Sequence, residues 1–320
     1  MKKIFLLLLL AMPAAVFSQT LRVNVSNGAY MLPGAFVYVN DVPVAFTDHK
    51  GTAEIPYGRL HDGDMIKAGC LGTYAAWAPF DLRMREQGEC NLVLYENFVA
   101  TDGPGVDDKK VYKFFKANTL EYTADIGAAP DFAMLSEFSM YGWDVDGNVK
   151  MELEGQVVAS EFKWSTPTHM SREISFRADA DTTGVSLDAY SILTAALFVS
   201  PIYPLQKAQN GYVPWIRYGY LGQRQDCHVF RLAFSDQDYP EIGCQVMAFI
   251  DQKSGIPVFV EYEIIDIDTN IKFDYRFADF FVYNSSQGRV ALYAGEVEFR
   301  GKLLDGVSEV RLYDIVYSPK

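Results

Sequence analysis

Ala133-Met134-Leu135-Ser136-Glu137-Phe138-Ser139-Met140-Tyr141-Gly142-Trp143-Asp144-Val145, then Asp146-Gly147, then Asn148–Ser160, is the stretch on which the fold class turns. Two runs of strand length flank an Asp-Gly pair, whose residues tolerate the positive φ that a two-residue hairpin turn demands. The chain must therefore run out and straight back as adjacent antiparallel strands. The same pattern continues through Glu161–Trp164, Ser171–Ala178, Ile216–Leu221, Cys227–Phe234, Gln245–Asp251, Val258–Ile267, Ile271–Phe281, Ala291–Phe299 and Val307–Tyr317. Only two segments break it. Lys109–Asn118 places Val111, Phe114 and Phe115 at i, i+3 and i+4, the spacing of one helix face. Leu187–Ser200, with Asp188 near its start and Pro201 and Pro204 after its end, is apolar nearly all round and reads as a buried helix against the sheet.

Upstream, shorter alternating runs recur at Leu21–Val25, Ala35–Val39, Pro43–Phe46, Ala53–Ile55, Met65–Leu71 and Asn91–Tyr95, each bounded by Gly, Pro, Asn or Asp. That density of short strands predicts a small β-sandwich. The turn-forming Thr101–Asp108 stretch is the natural linker. Residues 1–18 combine Lys2 and Lys3, an apolar Ile4–Met12 run and a small-residue Val16-Phe17-Ser18 site, the layout of a cleaved export signal. The expected organisation is thus a signal peptide over 1–18, a sandwich over 19–100, a linker over 101–108 and a larger unit over 109–320. Overall the chain reads as mainly β: a sandwich followed by an antiparallel half-barrel with one or two packed helices.

Composition limits the function classes. The 320 residues hold 28 basic and 41 acidic side chains, a formal charge of −13 that becomes −15 once the two signal-peptide lysines are removed. Phosphate backbones are bound by neutralising them with Lys and Arg, so nucleic acid is excluded as a partner. An acidic membrane surface is disfavoured for the same reason. After the signal, no apolar run is long enough to span a bilayer as a helix. The expected compartment is the periplasm or the exterior. The 46 aromatic residues, 14% of the chain, fit strand faces.

Four cysteines in an exported chain permit disulfides without requiring them. Cys70 and Cys90 lie close in sequence within the sandwich region, and a bridge closing their loop is expected to add about 3 kcal/mol. Cys227 and Cys244 fall at unmatched ends of a hairpin, roughly 23 Å apart at the ordinary rise per strand residue, so both are expected as free thiols. No zinc spacing is present, and His49, His61, His169 and His228 are scattered.

Two resemblances follow from particular residues. Pro33–Val39, Thr47-Asp48-His49-Lys50-Gly51-Thr52-Ala53-Glu54-Ile55, Gly63–Ala68 and Leu71-Gly72-Thr73-Tyr74 resemble the carboxypeptidase-regulatory-like family. That likeness implies a transthyretin-like sandwich serving as a structural or interaction appendage without catalytic residues. Tyr220-Leu221-Gly222, Cys227–Leu232 and Ala248–Val258, together with the order of elements, resemble the outer-membrane lipoprotein carrier and sorting superfamily. This second likeness implies an incomplete barrel whose apolar concave face holds acyl chains or other hydrophobic ligands. On it, the expected pocket has Leu187, Tyr190, Leu193, Leu197 and Phe198 as lid, with Phe249, Tyr262, Phe273, Tyr275 and Phe277 as sheet-side lining.

Reactive motifs give little competition. Asp144–Asn148 and Asp266–Asn270 begin like calcium loops, but lack the Gly and Glu at the sixth and twelfth places, so they read as hairpin turns. Ser160-Glu161-Phe162-Lys163 fits SxxK within a strand and without the accompanying motifs of that enzyme class. His169 with Glu173 is no zinc-protease motif, and Glu261 with Glu263 reads as a solvated strand face. No cofactor and no enzymatic activity are expected. A non-catalytic envelope protein holding a lipid or acyl chain leads. The alternatives are an envelope protein with a fully packed core that meets a protein partner, and an unrecognised hydrolase.

Overall fold

The structure, a computed structural model, describes residues 20–96, 103–105, 107–120, 132–164, 170–178, 205, 211–214, 216–235, 241–284, 290–303 and 306–319. The expected signal peptide over 1–18 and the expected 187–200 helix lie outside these residues. The fold is mainly β, as expected.

Strands β1 (Thr20–Ser26), β2 (Phe36–Val39), β3 (Val42–Phe46), β4 (Thr52–Pro56), β5 (Met65–Gly69), β6 (Ala76–Pro79) and β7 (Glu89–Val93) form two facing sheets, ordered β4-β1-β7 and β3-β2-β5-β6. Their inward residues, among them Leu21, Val23, Val37, Ile66 and Leu92, form one buried core with Phe80. The Asp48–Gly51 turn closes as its residues predict. The Asp48 carboxylate accepts from the amides of Lys50 and Thr52 at 2.8 and 3.0 Å, and Gly51 takes φ +71°. A short helix α1 (Leu82–Gln87), absent from the expectation, is capped by the Asp81 side chain and ended by left-handed Gly88.

Helix α2 (Asp108–Asn118) leads into β8 (Phe132–Asp144), β9 (Val149–Trp164), β10 (Met170–Ala178), β11 (Arg217–Arg224), β12 (Cys227–Ser235), β13 (Ile242–Asp251), β14 (Pro257–Asp266), β15 (Ile271–Ala278), β16 (Phe281–Asn284), β17 (Val290–Tyr293), β18 (Glu296–Leu303) and β19 (Gly306–Pro319). Ten of these form one open sheet, ordered β10-β9-β8-β19-β18-β15-β14-β13-β12-β11. The 291–299 run does not form one strand. It divides at Ala294-Gly295, where the Gly295 amide donates to Ala278 and Asp279 carbonyls and a Cβ would stand 2.8 Å from the Asp279 oxygen. Its first part pairs with β16 in a separate ribbon, and its second joins the main sheet.

The Cys70–Cys90 bridge is not formed; both are free, buried thiols. Cys90 pairs with Val23 on one sheet while Cys70 follows β5 on the other, and both pack as apolar side chains of the shared core. Cys227 and Cys244 are also free, and Cys227 faces Asp251 as the hairpin register requires.

Candidate functional site

Strand alternation gives the large sheet two chemically different faces. On one, Phe138, Met140, Phe230, Leu232, Val246, Val260, Tyr262, Tyr275, Phe277, Phe299 and Leu312 form a continuous buried apolar layer. Cross-strand register sets Tyr262 opposite Tyr275 and Ile264 opposite Phe273. The rings interlock: Tyr275 stacks on Phe277 at 5.9 Å, Tyr262 meets Phe277 edge-on at 5.6 Å, and Phe273 and Tyr275 contact Phe299 at 5.6 and 5.0 Å. Burial pushes the Tyr262 phenol well above its ordinary range, so it stays neutral there.

Four of the five expected lining residues therefore come together: Tyr262, Phe273, Tyr275 and Phe277. Phe249 does not. It falls one residue out of phase with Cys244, Val246, Ala248 and Ile250, and packs on the opposite face with Leu71, Leu221, Val229 and Met247. The five expected lid residues lie outside the described segments. Phe138, Met140, Phe230 and Phe299 complete the layer without having been singled out, although their alternation in the 133–145, 227–234 and 291–299 runs is visible in the sequence.

Helix α2 covers the β11–β12 end of this face. Asp108 in its first turn accepts from Arg217 Nη1 at 3.0 Å and from the Tyr218 amide at 3.1 Å, which pins the helix to β11. Phe115 then meets Phe230 at 5.1 Å, and Phe114 meets Tyr220 and His228 at 5.0 and 5.2 Å. The opposite end of the helix is held where Leu120 donates to Gly255. His228 Nδ1 lies 3.0 Å from the Tyr220 hydroxyl, and burial holds the imidazole below its usual pKa.

The sheet's other face receives the sandwich. Gln245 is fully buried, accepting from the Leu71 amide and donating to the Gly34 carbonyl, both at 2.6 Å. Arg231 donates to the Leu71 carbonyl at 3.1 Å and pairs with Glu96 at 3.7 Å; Glu96 also accepts from the Tyr30 hydroxyl at 2.7 Å. The backbones close to touching: a Cβ on Gly34 would stand 2.5 Å from that of Ala233, and one on Gly243 would strike the Phe46 ring.

Glu263 departs from the solvated-face expectation. It lies largely buried beneath Tyr38, whose hydroxyl hydrogen-bonds it, and Lys272 pairs with it at 2.7 Å. Burial raises the Glu263 carboxyl despite that cation, and the Asp274 carboxyl, 3.2 Å from the same ammonium, is raised for the same reason. Beyond the sandwich's edge the face opens into a cleft of about 680 Å³ lined by Leu71, Ser139, Tyr141, Phe299, Val310 and charged residues of β14, β15, β18 and β19. The calcium-like segments are hairpin turns: Asp144 Oδ1 accepts from the amides of Asp146 and Asn148, and Asp266 Oδ1 from those of Asp268 and Thr269.

No family model matches the chain, and no curated protein matches it. Among solved structures it is similar to a putative outer membrane lipoprotein-sorting protein domain from Vibrio parahaemolyticus, at 12% identity and a TM-score of 0.31, over 65% of this chain and 91% of that one. Among the described residues, no helix is long and apolar enough to cross a membrane.

Proposed function

We propose that this chain is a non-catalytic, exported cell-envelope protein that holds a hydrophobic ligand of the acyl-chain class against the apolar face of its open sheet. The observation that supports it most is the extent of that face: aromatic and aliphatic side chains run without interruption from β8 to β11. Soluble proteins do not leave such a surface in water; a lid or a ligand must cover it. Among the described residues α2 covers one end, and the helical Leu205 is buried in the same layer. The export signal read at residues 1–18 supplies the compartment, and the sandwich serves as a docked appendage.

A second reading rests on the burial of Tyr262, Tyr275 and Phe277, which are 1%, 2% and 1% exposed. On that reading the layer is ordinary core and the protein acts through a protein partner. Native mass spectrometry of gently purified protein, followed by titration with a fluorescent fatty acid, separates the two. The first reading expects an adduct of lipid mass, displaceable by the probe, and roughly tenfold weaker uptake in Phe273→Ala, the size of one buried side chain's contribution. A ligand-free protein that takes up no probe overturns it in favour of the packed core.

A further inference from the structure

The geometry points to a second site on the opposite face of the same sheet: a binding cleft for neutral carbohydrate, with Tyr141 in its lining as the stacking ring and Trp143 packed against that ring at the cleft's edge. The cleft's volume, about 680 Å³, lies within the ordinary range of ligand sites, and the overhanging sandwich contributes Leu71 to its wall. This closes one side of what would otherwise be an open solvated face.

Its lining specifies the ligand class. Glu261, Glu263, Asp274, Glu298 and Glu309 stand against Lys272, Arg276, Arg300 and Arg311, a near balance of charge. The charges are already paired: Arg276 with Glu261 at 3.2 Å and with Glu298 at 3.8 Å, Arg300 with Glu309 at 3.3 Å, and Arg311 with Glu296. Such a surface presents no excess field to a polyanion or polycation. It does present dense arrays of donors beside acceptors, which suits vicinal hydroxyl groups that must do both at once. Nine of its fourteen lining residues are charged, which suits a hydroxylated ligand better than an acyl chain.

The aromatic pair supplies the remaining element. Tyr141 and Trp143 lie two residues apart on β8, on the same side as Ser139, with rings stacked at 6.1 Å and an interplanar angle of 24°. Both are half-buried, and neither belongs to the apolar core of the other face. Tyr141 faces Glu309 across the strands, which sets its ring beside the Arg300–Glu309 pair. A half-buried aromatic ring at the cleft wall amid paired Arg and Glu side chains matches a pyranose ring, whose C–H face is apolar and whose edge is hydroxylated.

The test titrates the full-length mature protein with cello-, malto-, xylo- and chito-oligosaccharides by calorimetry and tryptophan fluorescence. We expect at least one to bind with a Kd between about 10 μM and 1 mM. Tyr141→Ala and the rim variant Arg300→Ala each weaken binding at least tenfold while fatty-acid uptake stays as in the parent, and Arg300→Ala also keeps the parent's thermal midpoint. Arg300 is 61% exposed, so its loss leaves folding intact even if the tyrosine variant does not fold. No heat from any oligosaccharide at about 10 mM, binding of only charged polymers, or undiminished affinity in Arg300→Ala and Tyr141→Ala overturns the site. Because this cleft and the acyl-binding face lie on opposite sides of the sheet, either result stands without the other.

Discussion

Cys70 and Cys90 illustrate how far single residues can be read. Their burial was legible from alternation, but their bonding was not, because sequence spacing does not tell which sheet each joins. Burial pushes the Cys90 thiol up to about 11 and raises those of Cys70 and Cys244, while Arg231 pulls Cys70 the other way. The reactive species is the thiolate, so at pH 8 these three are inert on both exposure and ionisation. A thiol reagent should therefore label only half-buried Cys227 in the native protein at pH 8, and four cysteines after denaturation without reductant. Recovery of a Cys70–Cys90 crosslinked peptide would contradict this. Phe249 and Gln245 teach the complementary lesson. Phe249 joined the expected pocket because it is aromatic, although strict alternation from Val246 and Ala248 already sets it on the other face. Gln245 reads as an ordinary outward polar residue, and only the arrival of the sandwich buries it.

At the scale of elements, hairpin grammar located nearly all of the described strands of the large sheet, because each turn carries its own local chemistry in Asp, Asn and Gly. It failed at Ala291–Phe299, where Gly295 breaks the strand through contact with Asp279, a tertiary event. Helix α1 was missed although Asp81 and Gly88 mark both of its ends; its six residues are too few to show a period. The junction of α2 with β12 has a predicted pH response. His228 meets the Tyr220 hydroxyl, the rings of Phe114 and Phe230, and Gln223 across the strand pair. None of these is an anion that would favour an imidazolium, and burial lowers its pKa. Below the unfolded value of about 6.5 the unfolded chain thus binds more protons than the native one. Stability contributed here is complete above that pH and is lost as pH falls toward the folded value. Urea midpoints measured from pH 7.5 to pH 5 should decline less steeply in His228→Phe than in the parent; parallel declines would remove the residue from the acid response.

The whole molecule depends on how the sandwich is fastened to the sheet, and no local pattern signals it: each of Gly34, Leu71, Arg231 and Gln245 looks ordinary until residues more than a hundred positions apart meet. A linker at 101–108 suggests independent bodies, yet Gly103 lies where a Cβ would be 2.5 Å from the Tyr220 ring, so even that connection packs down. The fastening is polar at its centre, and buried polar contacts behave asymmetrically: complete, they add little; broken, they cost the full desolvation of what is left behind. Gln245→Ala would strand the Leu71 amide and the Gly34 carbonyl at once, at about 1–3 kcal/mol each. That is enough to separate two bodies whose remaining apolar contacts are the cluster around Leu71, Leu221 and Met247 and the close approaches of Gly34 to Ala233 and of Phe46 to Gly243. In scanning calorimetry the parent should unfold in one endotherm, with calorimetric and van't Hoff enthalpies agreeing, whereas Gln245→Ala should show two. A single undivided endotherm in the variant, shifted down by the full cost, would mean that the large sheet cannot stand without its appendage. Two endotherms already present in the parent would mean that the seam does not couple the units at all.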